Sequence, residues 1–321
     1  MILAESAGFC YGVRRAVELA RETAAETGRC WMLGDLIHNT HVVEQLRALG
    51  VQKAESVETL QPGDTVIIRS HGESKQVLDR LEDKGVRCVD ATCPNVRRIQ
   101  TLAAEAEAEG RTPVIIGDAA HPEVAGIASR CGHPLVFGGP EAVESWLEQD
   151  PKARETPVTV VAQTTCIREL FETSWKIVKK ECTNAKKFDT ICTATHKRQS
   201  EAAILAAKAD VMVVVGDRKS ANTKHLTEIC KESCSRVVQV ENADELPPDF
   251  FSGCSVAGLT AGASTPAGII KEVYAAMSEE IKAVENNEES FEELLNQSFK
   301  TLNTGEKVTG IVTAITPTEV Q

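Results

Sequence analysis

Three cysteines, Cys10, Cys93 and Cys192, each follow a short apolar segment and open a helical pattern. Their contexts are F-C-Y-G-V-R-R-A-V, T-C-P-N-V-R-R-I-Q and I-C-T-A-T-H-K-R-Q-S. A basic residue stands five or six positions after each, at Arg15, Arg98 and Arg198. Three thiolates on related segments make a metal-ligand set of approximate threefold symmetry. A tetrahedral zinc would need a fourth ligand or would keep that position for water. A four-iron cubane held by three cysteines leaves one iron free for a substrate. Spacing does not choose between these, and three buried cysteines kept through duplication are the plain alternative.

A second set of residues suits an anion. His38, His121 and Ser220 each lie four residues past a strand-ending glycine, in the contexts His38-Asn39, His121-Pro122-Glu123 and Ser220-Ala221-Asn222. Ser70-His71-Gly72, Thr164-Thr165 and Ser264-Thr265 end the next strands. Each of these residues taken singly reads as a helix N-cap. Together, at equivalent strand ends before helices, His38, His71, His121, Ser220, Asn222 and Ser264 point to a phosphate or diphosphate, which backbone N–H groups and helix dipoles favour. Glu123 is the one carboxylate in this ring. It either complements a helix dipole or gives a proton, with Thr164 or Thr165 to relay that proton or to hold a substrate hydroxyl.

The elements that must position these residues repeat three times. From Cys10 to Cys93 is 83 residues, as from Gly34 to Gly117; from Cys93 to Cys192 is 99, as from Gly117 to Gly216. Two landmarks that move together define an internal repeat of domain size. Asp35, Asp118 and Asp217 follow those glycines and read as architectural. Strands alternate with helices, so parallel sheets flanked by helices are expected. V-I-I-R-S, V-T-V-V-A and V-M-V-V-V are continuous apolar runs, as for strands buried on both faces. Pro122 and Pro266 suit first helical positions, and Gly50 and Gly132 suit helix ends. The polar clusters all follow strands, the edge at which open parallel sheets bind ligands. The fold expected is α/β, three units related by a pseudo-threefold axis around a central site. They span residues 1–92, 93–190 and 191–283, with the strand before Cys10 free to pack with the third. Residues 284–321 read as an acidic linker and an incomplete further domain.

Composition limits the alternatives. The 321 residues are 42% hydrophobic, 26% charged and 4% aromatic, so the cores rest on Val, Ile, Leu and Ala. A net charge of -12 argues against a general binder of nucleic acid or anionic membranes. No apolar run reaches the roughly 20 residues of a membrane span, and Met1 to Cys10 does not read as a signal peptide. Eleven cysteines, an odd number, argue against a secreted disulfide scaffold and for the cytoplasm. Cys30, Cys88, Cys131 and Cys182 read as small core residues. Cys230 and Cys234, an isolated C-x3-C on a helix, are weak evidence for zinc.

These motifs resemble the LytB/IspH family of hydroxymethylbutenyl diphosphate reductases. The resemblance runs from A-G-F-C-Y-G-V-R-R-A-V through I-H-N, R-S-H-G, D-A-T-C-P, H-P-E-V, Q-T-T and I-C-x-A-T to T-A-G-A-S, about residues 1 to 280. It implies a [4Fe-4S] cluster on Cys10, Cys93 and Cys192 with one open iron. It implies a substrate pocket of His38, His71, His121, Thr164, Thr165, Ser220, Asn222 and Ser264, and Glu123 as the catalytic acid. The implied reaction is the reductive dehydroxylation of 4-hydroxy-3-methylbut-2-enyl diphosphate to isopentenyl and dimethylallyl diphosphate, the last step of the non-mevalonate isoprenoid pathway. Electrons would come from a ferredoxin or flavodoxin. Two departures stand out. The family usually has Ser-Ser-Asn where this chain has Ser220-Ala221-Asn222, which removes one hydroxyl donor. The end of the chain, V-T-G-I-V-T-A-I-T-P-T-E-V-Q, resembles the opening of an S1-type RNA-binding domain, too short for a five-stranded OB barrel. The competing functions are an iron–sulfur hydro-lyase, which needs no external electrons, and a non-catalytic RNA-binding protein related to ribosomal S1.

Overall fold

The structure, a computed structural model, describes residues 1–298, with side chains as far as residue 282. In chain order its elements are β1 (Ile2–Leu3), α1 (Tyr11–Thr27), β2 (Cys30–Leu33), α2 (Thr40–Ala48), β3 (Val51–Ala54), β4 (Thr65–Ile68), α3 (Lys75–Asp83) and β5 (Arg87–Asp90). Then come α4 (Pro94–Ala108), β6 (Thr112–Ile116), α5 (Pro122–Ala128), β7 (Leu135–Phe137), α6 (Pro140–Gln149), β8 (Val158–Ala162), α7 (Arg168–Glu181) and β9 (Ala185–Lys187). The last are α8 (Thr193–Ala206), β10 (Val211–Val215), α9 (Ala221–Ser233), β11 (Val237–Val240), β12 (Ala257–Ala261) and α10 (Ala267–Ser298). Met1–Ser278 form one unit and residues 279–321 another. The S1-like reading of 284–321 lies outside the described side chains and, from residue 299, outside the described residues.

Three four-stranded sheets, parallel in every pairing, share one order: β3-β2-β4-β5, β7-β6-β8-β9 and β11-β10-β12-β1. In the third sheet β1 takes the place that β5 and β9 hold in the others, with Ile2 opposite Gly258 and Leu3 opposite Leu259. The central strands carry the apolar runs. Every residue of β4, β8, β10 and β12 is buried. Helices cover both faces of such strands, and each fully buried Val or Ile contributes about 1.5–3 kcal/mol. Separate cores result: Met32, Ile67, Val17 and Leu46 under α1 and α2, Val160, Phe171 and Val178 under α7, and Met212, Val214 and Leu226 under α9.

Several local expectations change in three dimensions. Cys30 and Cys182 are buried, but Cys88 is exposed and Cys131 half-buried. Cys88 lies on β5, an edge strand with one neighbour, so its apolar-looking context faces outward. Cys230 and Cys234 are buried among Leu205, Met212 and Leu226, and burial pushes the Cys230 thiol up to about 12, so it is an apolar core group. Pro122 does open α5, and Gly50 follows α2 at φ +98°. Pro266 stands one residue before α10. Gly132 lies past the end of α5, where its N–H donates to the Glu107 carboxylate at 2.7 Å. It serves a loop and not a helix end.

Candidate active site

Each of the three cysteines is an N-cap: Cys10 of α1, Cys93 of α4 and Cys192 of α8. One device holds all three. The N–H of Cys10 donates to the Ala263 carbonyl at 3.1 Å, that of Cys93 to Ser70 at 2.9 Å and that of Cys192 to Thr164 at 3.0 Å. Those carbonyls sit just past β12, β4 and β8. The end of a central strand of each sheet thus fixes the start of a cysteine helix. Three helix N-termini point their positive ends at the sulfurs, which favours thiolates. Val13 N–H donates to Cys10 Sγ at 3.4 Å, and Asn95 Nδ2 donates to Cys192 Sγ at 3.2 Å. A Cβ on Gly12 would stand 2.6 Å from Cys93 Sγ and 4.0 Å from Cys10 Sγ, so only glycine leaves room there for both sulfurs. Burial pushes the Cys93 thiol up, and the neighbouring Cys10 and Cys192 add to that rise. A bound metal reverses this cost, because it displaces the thiol protons.

His38 and His71 follow strands of the first sheet, His121 follows β6 of the second, and the three meet at one wall. The ring centroids lie 4.6 Å apart for His38 and His71, 5.3 Å for His71 and His121, and 5.9 Å for His38 and His121. His121 caps α5: its Nδ1 accepts the Glu123 N–H at 3.1 Å, so the neutral ring carries its proton on Nε2. Burial is the first cause that pushes all three imidazoles below their ordinary value, His121 to about 4 and His71 well below it. They are therefore neutral donors at pH 7. His38 Nε2, His71 Nδ1 and both polar atoms of the Asn222 side chain are buried without a partner among the described residues. Buried polar groups normally have partners, and four unpaired atoms facing one cavity fit a polyoxygen anion.

Glu123 lies behind this wall, 1% exposed. Its Oε1 accepts from the Thr164 N–H at 2.6 Å and its Oε2 from Thr164 Oγ1 at 2.7 Å. Burial pushes its carboxyl up to about 7, although the two bonds from Thr164 pull the other way. The dipole-complementing role does not require such burial, whereas a proton donor poised near neutrality does.

One cavity is lined by all the residues singled out above: Cys10, Cys93 and Cys192; His38, His71 and His121; Glu123, Thr164 and Thr165; Ser220, Ala221, Asn222 and Ser264. Their hydroxyls are not all free. Ser220 Oγ caps α9 by accepting from Thr223 N–H at 3.4 Å, and Ser264 Oγ donates to the His38 carbonyl at 2.9 Å. Asp118 and Asp217 accept from backbone N–H groups two residues on, at 2.9 and 2.7 Å, and shape their turns. Sequence reasoning missed three neighbours. Gln163 bonds Asp118 N–H and Thr165 Oγ1, the sulfur of Cys192 has Asn95, and His225 Nδ1 donates to the Thr165 carbonyl at 2.6 Å. Asn95 was findable, since the equivalent residues Gly12 and Ala194 are small and apolar. Arg198, noted only for its spacing, is 4% exposed: its guanidinium donates to the Gly8 carbonyl ahead of α1 at 2.6 Å and to the Ala194 carbonyl of its own helix at 3.1 Å.

Comparisons with known proteins agree with this arrangement. The family described as LytB protein matches residues 1–278. A protein of Caldanaerobacter subterraneus subsp. tengcongensis named 4-hydroxy-3-methylbut-2-enyl diphosphate reductase is 39% identical over 294 residues, 90% of this chain and 99% of its own. One of the same name from Geobacter sulfurreducens is 42% identical over 285 residues, 87% of this chain and 97% of its own. A solved (E)-4-hydroxy-3-methyl-but-2-enyl diphosphate reductase superposes with a TM-score of 0.63 at 38% identity, covering 87% of this chain and 99% of that one. The Plasmodium falciparum reductase, at 24% identity, covers 85% of this chain and 86% of its own with a TM-score of 0.81, and shows the shared fold. With the family match over most of its length and relatives near 40% identity aligned end to end, the chain belongs to the LytB protein family.

Proposed function

We propose that the cavity converts 4-hydroxy-3-methylbut-2-enyl diphosphate to isopentenyl and dimethylallyl diphosphate, with Cys10, Cys93 and Cys192 holding a [4Fe-4S] cluster. The chain is an iron–sulfur oxidoreductase of the isoprenoid pathway, a 4-hydroxy-3-methylbut-2-enyl diphosphate reductase. The observation that carries the site assignment is the convergence of three N-cap cysteines, three neutral histidines and one buried carboxyl on a single cavity. The three crowded sulfurs and the space preserved by Gly12 fit a bulky cluster. Once bound, it would supply electrons and an iron that no cysteine occupies, able to draw on the substrate hydroxyl.

The protein's own groups do the rest. His38, His71 and Asn222 direct their unpaired polar atoms at the diphosphate, with His121 Nε2–H beside them, and so orient the carbon chain. Ser220 and Ser264 hydroxyls keep acceptor or donor capacity beyond the bonds already made. When Glu123 is protonated the bond reverses, Oε2–H donating to Thr164 Oγ1, whose own proton then turns to the substrate, so the hydroxyl leaves as water. Thr165, fixed by Gln163, flanks that path. The electrons come from a ferredoxin or flavodoxin. The eleven free cysteines support a cytoplasmic setting. The division into repeats at residues 92 and 190, and the S1-like opening within 284–321, belong to the same reading. Among the described residues no helix is long and apolar enough to cross a membrane.

The test is anaerobic purification with iron and sulfide analysis, followed by turnover with a chemical reductant. Four irons and four sulfides per chain, and reductant-dependent release of both five-carbon diphosphates, are expected. Conversion without any reductant would instead identify a hydro-lyase.

Ala221, the first residue of α9, puts a methyl group on the cavity wall. Ala221→Ser adds one donor near the diphosphate site. Affinity for inorganic diphosphate, measured by calorimetric titration, should stay the same or tighten by no more than a charge-assisted hydrogen bond, about 1.5–3 kcal/mol. Clear weakening would show that the wall is packed around the methyl.

A further inference from the structure

A second cavity, open to solvent, lies outside the site just described. Asn95, Arg98, Arg168, Asp189, Cys192 and His196 shape it. It shares only Asn95 and Cys192 with the first cavity. One cluster cysteine and the amide bonded to its sulfur are therefore the wall between the reaction chamber and this crevice.

The crevice is a break in the threefold repetition. Counted from their cysteines, Arg15, Arg98 and Lys197 are equivalent. Arg15 covers the approach to Cys93: its Nη1 donates to the Thr92 carbonyl at 3.2 Å and its Nη2 to the Asp90 carbonyl at 3.3 Å. Arg98 does not cover Cys192 in that way. Arg168 holds the matching Asp189 at 2.5 Å, and the Arg98 guanidinium has no hydrogen bond or ion pair among the described residues. Lys197 pairs with Glu5 at 3.9 Å near the segment before Cys10. Of these three equivalent positions Arg98 alone is without a partner among the described residues, and exposed His196 stands on the facing helix α8.

Charge gives the crevice a partner. The chain is acidic, at -12, yet here Asp189 is neutralised by Arg168 while Arg98 remains uncompensated. A local positive patch on an acidic protein selects an acidic partner approaching in one orientation, and acts mainly on the encounter rate. Electron transfer weakens steeply with distance, so a donor gains most where a thiolate ligand lies directly below the surface. Carrier encounters of this kind need only a small interface.

We propose that this crevice is the electron port: an acidic one-electron carrier protein docks over Arg98 and His196 and delivers its electrons beside Cys192. The inference rests on the reductase reading. Each docked carrier is oxidised by one electron, so two encounters supply the pair. With two protons, that pair breaks the C–O bond, releases water and leaves a new C–H bond in the product.

The test uses the cluster-loaded protein and two electron sources, reduced methyl viologen and a photoreduced acidic ferredoxin. Arg98→Glu should leave viologen-driven turnover unchanged. It should weaken binding of the oxidised ferredoxin, measured by calorimetric titration, and lower kcat/KM for the ferredoxin at least tenfold with a flatter dependence on salt, while Arg98→Lys keeps most of both. Lys231→Glu, an exposed charge on the last turn of α9, should change neither assay. Undiminished ferredoxin-driven turnover in Arg98→Glu would overturn the port. So would an equal loss in both assays, which would mean that Arg98 acts on the chemistry itself, or a matching loss in Lys231→Glu, which would reduce the effect to overall charge. If the unaltered protein failed to turn over even with viologen, the reductase reading would fall and the port with it.

Discussion

Glu123→Gln is expected to keep its iron, bind diphosphate normally and lose about 10²–10⁴-fold in turnover, the usual contribution of general acid–base catalysis. Gln preserves the shape and can still accept from the Thr164 N–H, but it has no proton to give at neutral pH. The pH dependence separates this from a structural effect. Burial holds the Glu123 carboxyl at about 7, so the acid form exists below that pH and disappears above it. Turnover of the unaltered protein should therefore fall as pH rises through 7, and the residual activity of Glu123→Gln should lose that limb. Stability gives a second reading. A carboxyl whose folded value is raised contributes stability below its unfolded value near 4.5, and that contribution is lost as pH rises through about 7. Glu123→Gln should consequently be the more stable protein at pH 8, measured by thermal unfolding under anaerobic conditions. Normal single-turnover rates in the variant would remove Glu123 from the mechanism and leave Thr164, Thr165 or a bound water as the proton path.

The cysteines carry the other large effect. Cys10→Ser, Cys93→Ser and Cys192→Ser should each lose the brown chromophore, most of the iron and all measurable turnover. Cys30→Ser is the control. Cys30 lies on β2, fully buried among Met32, Val51 and Leu46. A hydroxyl there costs about 1–3 kcal/mol if left unpaired, so Cys30→Ser should unfold at lower temperature and still carry full iron. Full iron and turnover in all three ligand variants would show the assignment to be wrong. Zinc without sulfide in the unaltered protein would point to a different metal on the same thiols.

The family assignment adds a constraint to both results. The Caldanaerobacter and Geobacter relatives, at 39% and 42% identity, align over 99% and 97% of their own length, so both results bear on the family fold as a whole. Ala221, which stands where the family usually has a serine, is where its own sequence has most to say.

The sequence alone determined the three-unit plan. Apolar runs such as those of β8 and β10, and paired spacings of cysteine and Gly-Asp, are local or periodic signals, and the polar strand ends fall on the carboxyl edge of any parallel sheet. That is why residues as distant as His38 and Ser264 were legible as one group before their geometry was known. Tertiary structure decided what no local pattern encodes. It put β1 into the third sheet beside β12 and turned Cys88 outward on an edge strand. It placed Thr164 against Glu123, 41 residues apart, and buried that carboxyl enough to raise it to about 7. It also tied Arg15 to the Thr92 and Asp90 carbonyls while its counterpart Arg98, beside Cys192, was left without a partner among the described residues. Burial and desolvation depend on which chain segments meet, and a side chain's titration and access follow from that meeting, not from its place in the repeat.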